Sequence, residues 1–151
     1  MRVTDYAEIV DSFRKIMVEN SDISDIKPGS DKWSLSEMVG HLIDSASNNH
    51  QRFLRLQISD NLIFPAYDAE NWKKISKTNS FDYGVLIELW YSFNLYLLFI
   101  VSNIDEKNLL NAWLIEDSKL SLGFLVGDYY RHMKVHYDLF VSRSNEIRKD
   151  Q

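Results

Sequence analysis

The sequence predicts an all-α protein, an antiparallel four-helix bundle with long crossover loops. Apolar residues recur at threes and fours over four long stretches, the period of an α-helix. The intervening segments carry Pro, Gly, Ser, Asp and Asn, and none shows the alternation or turn signal of a hairpin. Two of the connections are too long for tight turns, so they are expected to cross the bundle.

The first helix covers Asp5 to Val18, where Ala7, Ile9, Val10, Phe13, Ile16 and Met17 trace one face and Thr4 is a candidate N-cap. The second starts at Ser34, because Ser34-Leu35-Ser36-Glu37 has the spacing of a capping box, and runs to about Ile58. Between it and the third lies the segment from Asp60 to Ser80. It holds Phe64, Tyr67 and Trp72, so it is expected to pack over one end of the core, with a helical turn near Asp68 to Lys74. The third helix spans Asp82 to Ser102. The stretch from Asn103 to Ser118, with Trp113, is read as a second crossover, and the last helix runs from Ser121 to about Glu146.

At 151 residues the chain is the length of one domain, and 45% hydrophobic with 26% charged residues suits a single globular core. A net charge of -5, with no Lys/Arg stripe, excludes an evident nucleic-acid surface. No cysteine is present, so any thiol in a reaction must come with a ligand. The N-terminus carries acids where a signal peptide needs an apolar run, and the most apolar stretch, Leu95 to Val101, is shorter than a membrane span. A cytoplasmic protein without membrane partners is the expectation.

The chain holds four histidines. His132 and His136 are four apart on the last helix, a spacing that lets both side chains converge on one point. They fall in one sector with Leu125, Tyr129, Met133 and Phe140, which points them inward. His41 lies at the edge of the apolar stripe of the second helix. Three imidazoles from facing helices would leave an open position on a zinc-like ion. The spacing alone equally admits hydrogen-bonded core histidines. His50, on the opposite side of its helix from His41, is assigned a surface or packing role. Asp44 and Asp128 are placed to support the imidazoles or to contact a ligand, with plain solvation the alternative. Met133-Lys134-Val135 between the paired histidines omits the Glu of H-E-x-x-H proteases.

Four stretches in this order, K-W-S-L-S-E-M-V-G-H-L-I-D-S from Lys32, N-N-H-Q-R-F from Asn48, Y-D-A-E-N-W from Tyr67 and L-S-L-G-F-L-V-G-D-Y-Y-R-H-M-K-V-H from Leu120, resemble the DinB-like superfamily. The nearest branch is the YfiT-like or bacillithiol-transferase-like one. The resemblance implies a bundle with a three-histidine site matched by His41, His132 and His136, holding a divalent metal such as zinc or nickel. It also implies an enzyme that transfers a low-molecular-weight thiol such as bacillithiol, or a metal-dependent hydrolase acting through water at the same ion. Val135 and Ala46 depart from the branch's pattern, and Ala46 is expected at the pocket.

The substrate would be a small molecule passing Tyr67 and Trp72. A non-catalytic, dimerising bundle is the alternative from another class. Trp90, Tyr91, Phe93 and Tyr96 exceed what one buried face requires, which raises the expectation of a homodimer.

Overall fold

The computed structural model describes residues 3–151. In chain order the elements are α1 (Val3–Glu19), α2 (Leu35–Ile58), β1 (Leu62–Ile63), α3 (Ala69–Ser76), α4 (Tyr83–Ser102), β2 (Ala112–Ile115), β3 (Ser118–Ser121) and α5 (Leu122–Lys149). The helix starts follow from their caps. Ser34 and Glu37 form the capping box, with the Glu37 N–H donating to the Ser34 hydroxyl at 3.2 Å and the Ser34 N–H donating to the Glu37 carboxylate at 3.0 Å. Asp68, Asp82 and Ser121 cap α3, α4 and α5 in the same one-sided manner. Thr4 does not cap α1, since Val3 is already helical.

Side-chain contacts fix the helix directions. Arg14 pairs with Glu88 at 2.6 Å and the Tyr83 hydroxyl donates to the Met17 carbonyl at 3.1 Å, so α1 and α4 run antiparallel. Phe53 meets Tyr129 on α5 while Trp33, just before α2, accepts a bond from Arg143, so α2 and α5 are antiparallel too. By contrast Tyr6 stacks on Tyr130, Phe13 meets Phe140 edge to face, and Arg148 binds Asp22, which makes α1 and α5 parallel. It follows that α2 and α4 are parallel neighbours. A parallel pair needs a connection that returns the length of the bundle, and residues 59–82 supply it. That crossover therefore runs along α2 rather than over one end of the core, and Thr78 is seated against Gly40.

The stretch from Asn103 to Ser118 is not a plain loop. β2 and β3 form an antiparallel hairpin, Ile115 opposite Ser118, and β1 adds to it in parallel with Leu62 opposite Trp113. Glu116 takes the left-handed turn position at φ 50°. A Glu-Asp turn lacks the Asn-Gly or Asp-Gly sequence that normally announces such a hairpin. The small sheet is tied to the end of α2: the Asn111 amide donates to the Leu56 carbonyl at 2.6 Å and the Trp113 indole donates to the Phe64 carbonyl at 2.8 Å.

The core holds Phe13, Phe53, Trp90, Leu97, Tyr130 and Phe140, each fully enclosed. Each such side chain contributes about 1.5–3 kcal/mol on burial. A buried side-chain pair crosses it, the Tyr129 hydroxyl donating to Asn94 Oδ1 at 2.7 Å. Ala46 belongs to this core and lines no cavity near the histidines. Trp90 is wholly buried against Phe13, and Tyr91 is held by Asp11, so neither is part of a free aromatic face. As a whole, α4 is long and apolar enough to cross a bilayer by those two measures alone, which the shorter Leu95 to Val101 run understates.

Candidate functional site

The antiparallel pair α2 and α5 brings His41 opposite His132 and His136. His136 Nε2 lies 3.3 Å from His41 Nε2 and 2.9 Å from His132 Nε2, so His136 is the shared member of two close pairs. Two nitrogens bound at about 2.0–2.1 Å and the tetrahedral angle would stand roughly 3.3 Å apart. Among the described residues no trio of His, Asp or Glu side chains already encloses an ion-sized point. The His41–His136 separation matches that tetrahedral figure, and the His132–His136 separation is shorter, so an ion shared by all three would require the rings to move apart.

The inward placement of both α5 histidines needs correction. Leu125, Tyr129, Met133 and Phe140 do face the core, but His136 is half-buried and His132 is exposed. Their pair sits on the flank of that face, turned to the groove beside α2. The groove position matters chemically, because ligands on a core-facing stripe would have no access to substrate.

Burial, reinforced by the neighbouring imidazoles, pushes His136 down to about 4. Burial also lowers His41, followed by repulsion from His132, while Glu70 acts in the opposite direction. Both rings are therefore neutral at pH 7 with a lone pair to offer, the state a metal ligand requires. The chemistry of the donor set thus fits a borderline divalent cation: His136 Nε2 faces the Nε2 atoms of His41 and His132, and among the described residues no carboxylate hydrogen-bonds any of the rings.

The group that reaches the second nitrogen of His41 is a tyrosine. Tyr67 Oη lies 3.4 Å from His41 Nδ1, and burial raises its phenol to about 12. Trp72 lines no cavity near the histidines. It packs on Tyr67 at 4.9 Å and holds it in place. Trp33 stands edge-on to His41 at 5.5 Å, its indole donating to Glu70 at 2.9 Å. Asp128 borders the site beside His132 but is taken by Arg131 one turn on. The Asp44 carboxylate has no hydrogen-bond partner among the described residues, and burial raises it to about 6. His50 packs against Phe93 and Tyr96, away from the other three.

Two cavities meet at the histidines. One, of about 280 Å³, is bounded by Trp33, Met38, His41, His136, Leu139 and Arg143. The other, of about 220 Å³, lies on the far side of His41 and reaches His132, Tyr67, Trp113 and a polar strip of α2. That strip is His41, Ser45, Asn49 and Arg52, spaced four, four and three, hence one helical face. Sequence reading singled out only its first member. The periodicity of the polar residues, set against the apolar stripe beside them, was the signal for the rest.

Comparison with known proteins bears on the fold. No family model matches this sequence, and no curated protein matches it. Among solved structures the chain is similar to YfiT from Bacillus subtilis, a probable metal-dependent hydrolase with an unusual four-helix bundle topology. The TM-score is 0.82 over 97% of this chain and 87% of that one, at 14% sequence identity. The two share a fold.

Proposed function

We propose that this protein is a metal-dependent enzyme acting on small molecules, with a divalent cation held by His41, His132 and His136. The observation that carries the reading is His136 Nε2 within 3.3 Å of both other Nε2 atoms, with no carboxylate among the described residues bonded to any of the rings. The similarity in fold to a probable metal-dependent hydrolase supports it. When bound, zinc or nickel would lower the pKa of a thiol or water at its open position.

The protein's own residues would then do the positioning. Tyr67, held by Trp72, fixes the ring of His41 and closes one wall. Trp33 closes the other, and its indole is anchored by Glu70. The phenol of Tyr67 keeps its proton at neutral pH and can donate to a bound group or hold His41 as an acceptor. Asp128, on the cavity wall, would contact substrate by giving up its pairing with Arg131, whereas Asp44 lines neither cavity.

The preferred reaction is transfer of a low-molecular-weight thiol, such as bacillithiol, to an electrophile. Two separate cavities converge on the histidines, which suits two substrates better than one substrate and water. The absence of cysteine leaves the thiol to the cofactor. Hydrolysis is the second reading, favoured by the fold neighbour.

Metal analysis of the purified protein tests the site: one equivalent is expected in wild type and less than about a tenth in His41→Ala or His136→Ala. Undiminished stoichiometry in both variants would show that the ion is held elsewhere. Conjugation of a thiol to a haloarene, followed by absorbance, then separates transfer from hydrolysis of an activated ester.

A further inference from the structure

Arg52 is the member of the α2 strip that the reading above leaves unused. It is only 8% exposed, yet its Nε is buried without a partner, and among the described residues it makes no ion pair or side-chain hydrogen bond. Its Cζ lies 4.1 Å from the centre of the Trp113 ring, which holds the guanidinium in position while engaging none of its N–H groups. It borders the 220 Å³ cavity that also contains His41 and His132. The carboxylate on that cavity's wall, Asp128, is engaged by Arg131.

A buried cation with unused donors is costly unless something pairs with it. Burial indeed lowers the basicity of this guanidinium from its ordinary value. Two other polar groups of the same cavity are satisfied: Asn49 donates to the Ser45 carbonyl at 2.9 Å and Trp113 to the Phe64 carbonyl. Arg52 differs in facing an open cavity, so its partner can be a ligand.

We propose that Arg52 binds an oxyanion group, a carboxylate or a phosphate, carried by the substrate that fills this cavity, with the substrate's reacting end at the three histidines. The planar fork of a guanidinium matches both anions through paired N–H bonds. Ser45 and Asn49 lie between the two ends on the same helical face and offer the intervening polar contacts. From His41 to Arg52 α2 rises by roughly 16 Å, which sets the scale of the span to be bridged. The substrate is therefore an extended anion with its charge remote from the reacting atom. This assignment rests on the metal reading for its reacting end and on Arg52 alone for its anionic end.

The two can be tested apart. Cobalt(II)-loaded protein is titrated with ω-mercapto acids, ω-mercaptoalkyl phosphates and ω-mercapto alcohols of matched length, following the thiolate-to-cobalt absorption. Binding of the alcohols reports the metal site. The acid or the phosphate is expected to bind about tenfold or more tightly than its alcohol at the lengths that reach Arg52. Whichever of the two gains more identifies the anion.

The gain should fall below about twofold in Arg52→Met and be partly kept in Arg52→Lys. Equal affinities for acid, phosphate and alcohol at every length, or a gain that survives in Arg52→Met, would overturn the proposal. Should cobalt not bind, the metal reading fails and the metal-free protein still decides. The Arg52 Nε–H resonance, identified by its loss in Arg52→Lys, should move on titration with suberate or inorganic phosphate. A resonance that moves with neither overturns the anion site.

Discussion

At the scale of single residues, the groove between α2 and α5 gathers ionisable groups whose burial acts on stability in opposite directions. His136 is depressed to about 4 and His41 is lowered, so between pH 6.5 and 4 the unfolded chain binds protons that the folded, metal-free protein refuses. Stability falls as the pH drops through that window. Asp44 is raised to about 6, so the folded protein keeps a proton there that the unfolded chain releases, which adds stability as the pH falls from 6 toward 4.

Two histidines outweigh one carboxyl. The melting temperature of chelator-treated protein is therefore expected to decline from pH 7 to pH 4.5. Asp44→Asn should melt higher than wild type at pH 7, where it removes a buried charge, and lose that advantage near pH 4. An Asp44→Asn protein no more stable than wild type at pH 7 would contradict the burial of this carboxyl. At the same scale, Tyr129→Phe leaves Asn94 Oδ1 buried without its donor and should cost about 1–3 kcal/mol in denaturant unfolding.

At the scale of elements, the sequence disclosed what local chemistry alone decides. The Ser34 box, the helix starts at Asp82 and Ser121 and the turn beginning at Asp68 appear where the residue pattern predicts them, because each start is settled by a cap within four residues. The β2–β3 hairpin escaped because its turn is Glu-Asp with a strained Glu116, stabilised by the Asn111 and Trp113 bonds to distant segments rather than by its own sequence. The pairing of His132 with His136 was legible from helical spacing, and the approach of His41 was expected from its place at the edge of a facing helix. Arg52 was not, since what makes it notable is the lack of a partner, a fact of packing.

One close approach governs the crossover that carries Tyr67. A Cβ on Gly40 would come within 2.6 Å of Thr78 Oγ1 and 3.0 Å of its Cβ. Thr is short and stiff at χ1 and cannot step aside. Gly40→Ala is expected to destabilise by about 1–3 kcal/mol, with partial recovery in the Gly40→Ala, Thr78→Ala double variant. Chemical denaturation of the four proteins of that cycle measures the coupling, and additive effects would show that the crossover is not seated there.

At the scale of the whole molecule, the aromatic excess of α4 resolves into two populations. Trp90 is core, whereas Val85, Leu89, Tyr96 and Phe99 lie along the outer face, half or more exposed. With Ser92 between them their spacing is four, three, four and three, a heptad seam. We propose that a second copy of the chain packs on this seam. A dimer by light scattering is the expected result, reverting to monomer in Leu89→Lys. A monomeric wild type at 100 μM would sink the idea.

The parallel seating of α1 on α5 has a kinetic consequence. Arg148 reaches back to Asp22 and Tyr130 to Tyr6, so the first and last helices close the largest loops in the chain. Loop closure of that length slows the search for the native arrangement relative to a bundle of sequential hairpins. His41 and His136 are 95 positions apart and meet only when α5 docks. Refolding in the presence of cobalt should therefore develop the metal's visible absorption in step with the slowest phase, turning the imidazole cluster into a clock for the final docking event.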